Sequence, residues 1–209
     1  MSRLDAKLTP GQSVRRGKNV RSEQSVRKLL DAAVAALAES TYADLTVRGV
    51  AARAAVSPTT AYTYFPSKDA LIAEVYLRLL RDTPTFVDVN DSAATRIRAQ
   101  LRALVLLVAD TPYLADACTI ALMADDGVVD GIRGRIASEV GRRISASLGP
   151  GASTDLSITM HMIFSGALMH ARSTVGGYRA VADQLDRAVR VVMPAALSNA
   201  VANPAEVAP

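Results

Sequence analysis

The stretch from Leu45 to Leu71, LTVRGVAARAAVSPTTAYTYFPSKDAL, leaves the chain little freedom. Thr46 is placed to cap a helix, its hydroxyl accepting from an otherwise orphan backbone N–H. Val47, Val50, Ala51 and Ala54 follow at helical spacing and give one small apolar face. Ala54-Ala55-Val56-Ser57 reads as a turn anchored in the core by Val56. Ser57 is the natural cap of a second helix. Pro58 is its first residue, where a missing N–H costs nothing and φ is already helical. The second helix runs to about Phe65, with Thr59, Thr60, Thr63 and Tyr64 outward. None of these is charged, whereas a helix face that merely meets water usually carries Glu or Lys. Short hydroxyls, methyls and an aromatic suit a helix that enters a groove and meets base edges.

The run V-S-x-x-x-x-Y-x-Y-F-P-S-K-D-A-L, Val56 through Leu71, resembles the DNA-binding signature of TetR-family transcriptional regulators. Leu45-Thr46-Val47-Arg48 and Val50-Ala51 fit the same pattern. The resemblance is specific over roughly residues 22–82. Beyond them only length and helical character agree. The family usually has Gly before the Val-Ser pair, where this chain has Ala55. A left-handed backbone there costs about 1 kcal/mol or more once a Cβ is present. Either the turn avoids that conformation or some stability is given up.

The resemblance implies roles for single residues. Arg48 would contact a base or phosphate. Thr59 and Thr60 would reach bases through hydroxyl or methyl. Pro58 would touch a thymine methyl or simply begin the helix. Tyr62 and Tyr64 would donate to phosphates while their rings pack the module, and Lys68 would pin another phosphate. Thr46 and Ser57 are caps first and contacts second. Phosphate contacts fix register, and base contacts specify.

Charge supports a polyanionic partner. Residues 1–82 hold 13 Lys/Arg against 8 Asp/Glu, and residues 83–209 hold 11 against 12. The excess positive charge of the chain therefore lies beside the reading helix. Aromatics are 4% of the chain and there is no Trp, while Ala, Leu and Val abound, which favours helix packed on helix. The single cysteine, Cys118, rules out an internal disulfide framework and a Cys-based zinc site. The apolar run 104–108 is far too short to span a bilayer, and the start of the chain is polar and basic, so a cytoplasmic protein is expected.

In order, residues 1–21 read as a basic flexible arm. Ser22 to Ser40 predicts a first helix with Val26, Leu29, Leu30, Ala33, Val34 and Leu37 on one stripe. Lys68 to about Asp82, capped by Ser67, is apolar over more than one face and should touch two neighbours. Residues 83–91 read as a loop with Phe86 and Val89 inward. Ser92 to Asp110 predicts a helix with Arg96, Arg98, Gln100 and Arg102 outward. Further helices follow from Pro112, from Val128 to Leu148, from Thr154 to about Thr174, and from Tyr178 to about Ala200. The helix from Thr154 is apolar nearly all round and must be covered. Nothing after residue 200 can do so, which points to a second copy. In the family the last two helices form a four-helix bundle across a two-fold axis.

The expected architecture is therefore all-α. A helix-turn-helix DNA-binding module spans residues 22–82, an effector-binding and dimerisation bundle spans 83–200, and a tail spans 201–209. The dimer would form through roughly 154–174 and 178–200. A small apolar effector would meet Tyr76, Phe86, Val105, Tyr113, Leu122, Met123, Met160 and Phe164. No Gly-rich phosphate loop, H-E-x-x-H or Gly-x-Ser-x-Gly is present, so neither catalysis, a metal nor a cofactor is expected. His161 and His170, nine apart on one helix, do not share a ligand edge and read as core or interface histidines, the alternative being a polar contact in an effector pocket. The resemblance implies a repressor that binds a palindromic operator on double-stranded DNA as a homodimer and is released by its effector. Two rivals stay open: an enzyme with a helical active site, which needs convergent titratable groups, and a sequence-indifferent DNA-packaging protein.

Overall fold

The computed structural model describes residues 10–193, and among them helices are the only regular secondary structure. The first four are α1 (Pro10–Leu37), α2 (Val47–Arg53), α3 (Pro58–Tyr64) and α4 (Lys68–Asp82). They are followed by α5 (Ala93–Leu106), α6 (Pro112–Leu122), α7 (Gly127–Leu148), α8 (Thr154–His170) and α9 (Gly177–Val192).

Most starts are set by local caps. The hydroxyls of Thr46, Ser57, Ser67, Ser92 and Ser153 each accept a backbone N–H from the first turn of the helix they precede. Asp126 caps α7 in the same way. Helix α1 departs from expectation: it begins at Pro10, well inside the segment read as an arm. Once a strong helix exists over Ser22–Leu37, each added turn needs no new nucleus, and Pro10 is tolerated at the first position. Residues 1–9 and the tail from 201 lie outside the described residues, as do 194–200 of the last expected helix.

Leu29, Leu30, Ala33 and Leu37 of α1 meet Val47, Val50 and Ala51 of α2, Ala61 of α3, and Leu71, Val75 and Leu80 of α4 in one apolar core. That core continues through α5, α6 and α7 to Met160, Phe164, Val181, Leu185 and Val189. Helix α4 is the shared wall. Its other face, Ala70, Ala73 and Leu77, packs on Val129 and Ile132 of α7 as a separate cluster. The two helices run parallel and are tied along their length. The Ser67 hydroxyl donates to Asp126 Oδ2 at 2.9 Å, Glu74 pairs with Arg135, and Arg143 donates to the carbonyl of Arg81 at 2.9 Å.

Two residues expected outward on α5 are inside. Arg96 is 8% exposed and Gln100 is fully buried. Arg96 donates to the carbonyls of Ser147 (2.8 Å) and Leu148 (3.3 Å), where its charge suits the C-terminal end of α7. It also donates to the carbonyls of Asp88 and Asp91. Gly149, φ +88°, ends α7 there, and a Cβ on it would sit 3.1 Å from the Arg96 guanidinium. Gln100 accepts from Phe86 N–H at 3.2 Å and from the Ser147 hydroxyl at 3.2 Å. Arg143, 2% exposed, adds bonds to the carbonyls of Thr83 and Pro84 and to Thr85 Oγ1. The 81–91 segment is thus held by its backbone. Val89, expected inward, is 89% exposed, because these polar bonds rather than an apolar anchor fix the loop.

Among the described residues, helix α8 is not covered by its own chain. Only Met160 and Phe164 are fully buried, and it ends at His170, short of Thr174. Ile158, Met162 and Met169 are 52%, 70% and 77% exposed.

Candidate nucleic-acid interface

The helix-turn-helix is built by interlocking caps. Thr46 Oγ1 accepts from Gly49 N–H at 3.0 Å and starts α2. At the other end, Val56 N–H bonds to the Ala51 carbonyl and Ala55 N–H to the Ala52 carbonyl. This six-to-one and five-to-two pair is the Schellman motif, which requires a left-handed residue at its centre. Ala55 supplies it with φ +52°. Of the two alternatives left by the sequence, the chain takes the strained one. Ser57 follows at once, extended at φ −64° and ψ 143°, and accepts from Thr60 N–H at 3.1 Å.

Ala61 and Phe65 are buried and dock α3 against the module. Thr59, Tyr62 and Thr63 are then exposed, with Pro58 beside them and Thr60 half-buried at the edge. Tyr64 is not outward as expected. It lies one helical step round from the exposed face, half-buried, with its hydroxyl donating to Ser22 Oγ of α1 at 2.8 Å. Thr63 is the residue the candidate set omitted. Its signal was its spacing of four from Thr59, which puts the two on one face.

The two α2 arginines differ. Arg53 makes a two-pronged bond to Glu39, 3.0 Å on each arm, so its charge is locally offset. Arg48 is exposed and makes no side-chain ion pair or hydrogen bond among the described residues. Lys68, at the start of α4, donates to the Tyr42 carbonyl at 3.0 Å and lies 3.9 Å over the Tyr42 ring. Tyr42 in turn donates to Asp69 Oδ1 at 2.6 Å. Burial and that carboxylate push the Tyr42 phenol up to about 12. Arg48, the exposed residues of α3 and Lys68 are carried by three consecutive capped helices, α2, α3 and α4.

The residues expected to meet an effector are dispersed. Tyr76, Val105, Met160 and Phe164 are packed in the core, Phe86 and Leu122 are half-buried, and Tyr113 and Met123 are on the surface. Tyr76 neighbours Cys118 and Tyr178, and burial raises its phenol. Burial pushes the Cys118 thiol up to about 12, which suits a small core residue rather than a redox sensor. A shallow open groove lies elsewhere, lined by Ala36, Ser40, Leu45, Gly49, Val50 and Arg53. No group of His, Cys, Asp and Glu among the described residues is arranged to hold a metal, and no described helix is long and apolar enough to cross a membrane.

Comparison with known proteins agrees with this geometry. Residues 29–75 match the family of bacterial regulatory proteins, tetR family. HTH-type transcriptional regulators of Mycobacterium bovis and Mycobacterium tuberculosis, both uncharacterised, are 47% identical over 181 residues, 86% of this chain and 85% of theirs. A TetR transcriptional regulator from Rhodococcus sp. RHA1 shares the fold with a TM-score of 0.70 at 18% identity, over 82% of this chain and 96% of that one. Motif, cap geometry and near full-length relatives converge, and the chain belongs to the TetR family of helix-turn-helix transcriptional regulators.

Proposed function

We propose that the protein is a homodimeric repressor that binds a palindromic operator and leaves it when a small apolar effector binds. The observation that carries the operator reading is what α2 and α3 expose: Arg48, unpaired among the described residues, and Pro58, Thr59, Tyr62 and Thr63, with no acidic side chain on α3. Such a face meets phosphate and base edges without repulsion. Lys68 and Tyr62 would serve the phosphates, and Arg48, Thr59 and Thr60 the bases. Thr46 and Ser57 would act mainly by holding the helix starts. Residues 22–82 would be the DNA-binding unit, and 83–200 the dimerising and effector-binding unit, in a cytoplasmic protein.

The dimer reading rests on Ile158, Met162 and Met169, too apolar and too exposed for a helix that ends at water. A copy related by a two-fold axis would bury them and set two reading helices about one DNA turn apart. The effector reading rests on α4, whose Tyr76 belongs to the same apolar core as Met160 and Phe164 while its start carries Lys68. A ligand that displaced those side chains would shift α4, and only its differential affinity for the two arrangements would move the equilibrium.

The test is retention of genomic DNA fragments at about 0.15 M salt, with the retained fragments sequenced. One enriched palindrome supports the operator reading. Retention that tracks fragment length with no motif would replace it with sequence-indifferent binding.

A further inference from the structure

The reading helix, PTTAYTY, contains no Arg, Lys, Asn, Gln, Asp or Glu, so it has no side chain able to make a two-pronged hydrogen bond to a base. Its vocabulary is hydroxyl and methyl. The structure shows that most of the hydroxyls are already committed. Thr63 Oγ1 donates to the Thr59 carbonyl at 2.9 Å, one turn back along α3. Thr60 Oγ1 is bonded to the cap oxygen of Ser57 at 2.8 Å, and the Tyr64 hydroxyl is spent on Ser22. Thr63 is nonetheless exposed, on the same face as Thr59. With its oxygen held against the helix, the group it turns outward is its methyl.

We propose that Thr63 is a specificity-determining residue that packs its methyl on the C5-methyl of a thymine in the major groove, so that each operator half-site carries an A·T pair under the C-terminal half of α3. This rests on the operator reading above. Thymine is the only base that presents a methyl there, so an apolar side chain aimed at the groove floor distinguishes it without a hydrogen bond. Thr59, whose hydroxyl makes no bond among the described residues, is left as the hydroxyl reader on the same face.

The experiment uses the enriched genomic fragment as probe, with deoxyuridine replacing thymidine one half-site position at a time. Uracil keeps every hydrogen-bonding group and lacks only the methyl. One position per half-site should weaken binding by about threefold to fivefold, the effect of one methyl removed from a packed contact, and by roughly the square of that when both half-sites are changed. Thr63→Val, which keeps the methyl and replaces the hydroxyl by a second one, should bind like the unaltered protein and stay sensitive to uracil. Thr63→Ser, which keeps the hydroxyl and loses the methyl, should bind about threefold to fivefold more weakly and be indifferent to uracil at that position. Full binding by Thr63→Ser with loss in Thr63→Val would overturn the proposal in favour of a hydroxyl contact. So would a motif without thymine in the half-sites, or uracil substitutions without effect on the unaltered protein, an arm that needs no variant to fold. Absence of any enriched motif would instead overturn the operator reading and this proposal together.

Discussion

The Tyr64 hydroxyl donates to Ser22 Oγ across 2.8 Å, joining the end of the reading helix to α1 over a separation of 42 residues. With Ala61 and Phe65 docked beneath, this bond fixes the rotation of a helix only seven residues long. Tyr64→Phe keeps the ring packing and removes the bond. The expected loss is about 1 kcal/mol of stability in urea titrations, with the protein still helical by circular dichroism. Operator affinity should fall as α3 gains freedom, most clearly at low protein concentration in a mobility-shift titration.

Ala55 holds a left-handed conformation that glycine adopts without penalty. Ala55→Gly should therefore stabilise the protein, by about 0.5–1 kcal/mol, even though glycine ordinarily costs entropy on folding. The midpoint of urea unfolding is the measurement, and a fall in that midpoint would show that the alanine is not strained.

Arg48 and Arg53 share one short helix and one charge, but only Arg53 has a carboxylate partner. Arg48→Ala should reduce operator affinity by about tenfold or more, the worth of a good base contact, with little change in thermal midpoint. Arg53→Ala should change stability by less than about 1 kcal/mol, as for exposed ion pairs generally. Equal losses of affinity in both variants would mean that the surface acts through bulk charge.

Met162 is 70% exposed on the uncovered side of α8. Met162→Glu leaves the buried Met160 and Phe164 in place and puts a charge where a second copy is expected. Sedimentation should show a monomer with unchanged helical content, and binding to a palindrome should weaken while a single half-site is bound as before.

Glu139 accepts from Arg142 at 2.7 Å and from Arg143 at 2.7 Å. The Arg142 bond first, and then Arg143, hold its carboxyl below the ordinary glutamate value, against the upward push of burial. A carboxyl whose folded value is depressed stabilises the fold above its unfolded value, near about 4.3, and that stability is lost as pH falls through the folded value. The difference in thermal midpoint between the unaltered protein and Glu139→Gln should be full at pH 7, reflecting about 1 kcal/mol, should begin to shrink as pH falls past the unfolded glutamate value, and should vanish only below the depressed folded value.

Much of this molecule could be read from short stretches of chain because its helix starts are local events. Thr46, Ser57 with Pro58, and Ser67 each cap the helix that the sequence assigns to them, since a cap needs only residues two or three positions away. The buried Arg96 and Gln100 could not be read so. An arginine on a helix is normally outward, and the carbonyls that draw Arg96 inward come from residues 147 and 148, some fifty positions on. The half-buried position of Tyr64 is hidden from the sequence for a related reason. In two turns of helix several rotations satisfy the apolar pattern, and the choice among them is made by Ser22 on another element. Val89 belongs with these, because the hold on its loop is polar and comes from α5 and α7.

Arg96 and Arg143 grip the segment between α4 and α5 almost wholly by main-chain oxygens, which every amino acid supplies. The segment is therefore recognised by its path and not by its spelling. Evolutionary drift among residues 83–91 should cost the fold little, Thr85 being the one side chain the clamp touches. An insertion or deletion of a single residue there would move carbonyls out of reach of one or both buried cations, so the length of this connection is not free to change.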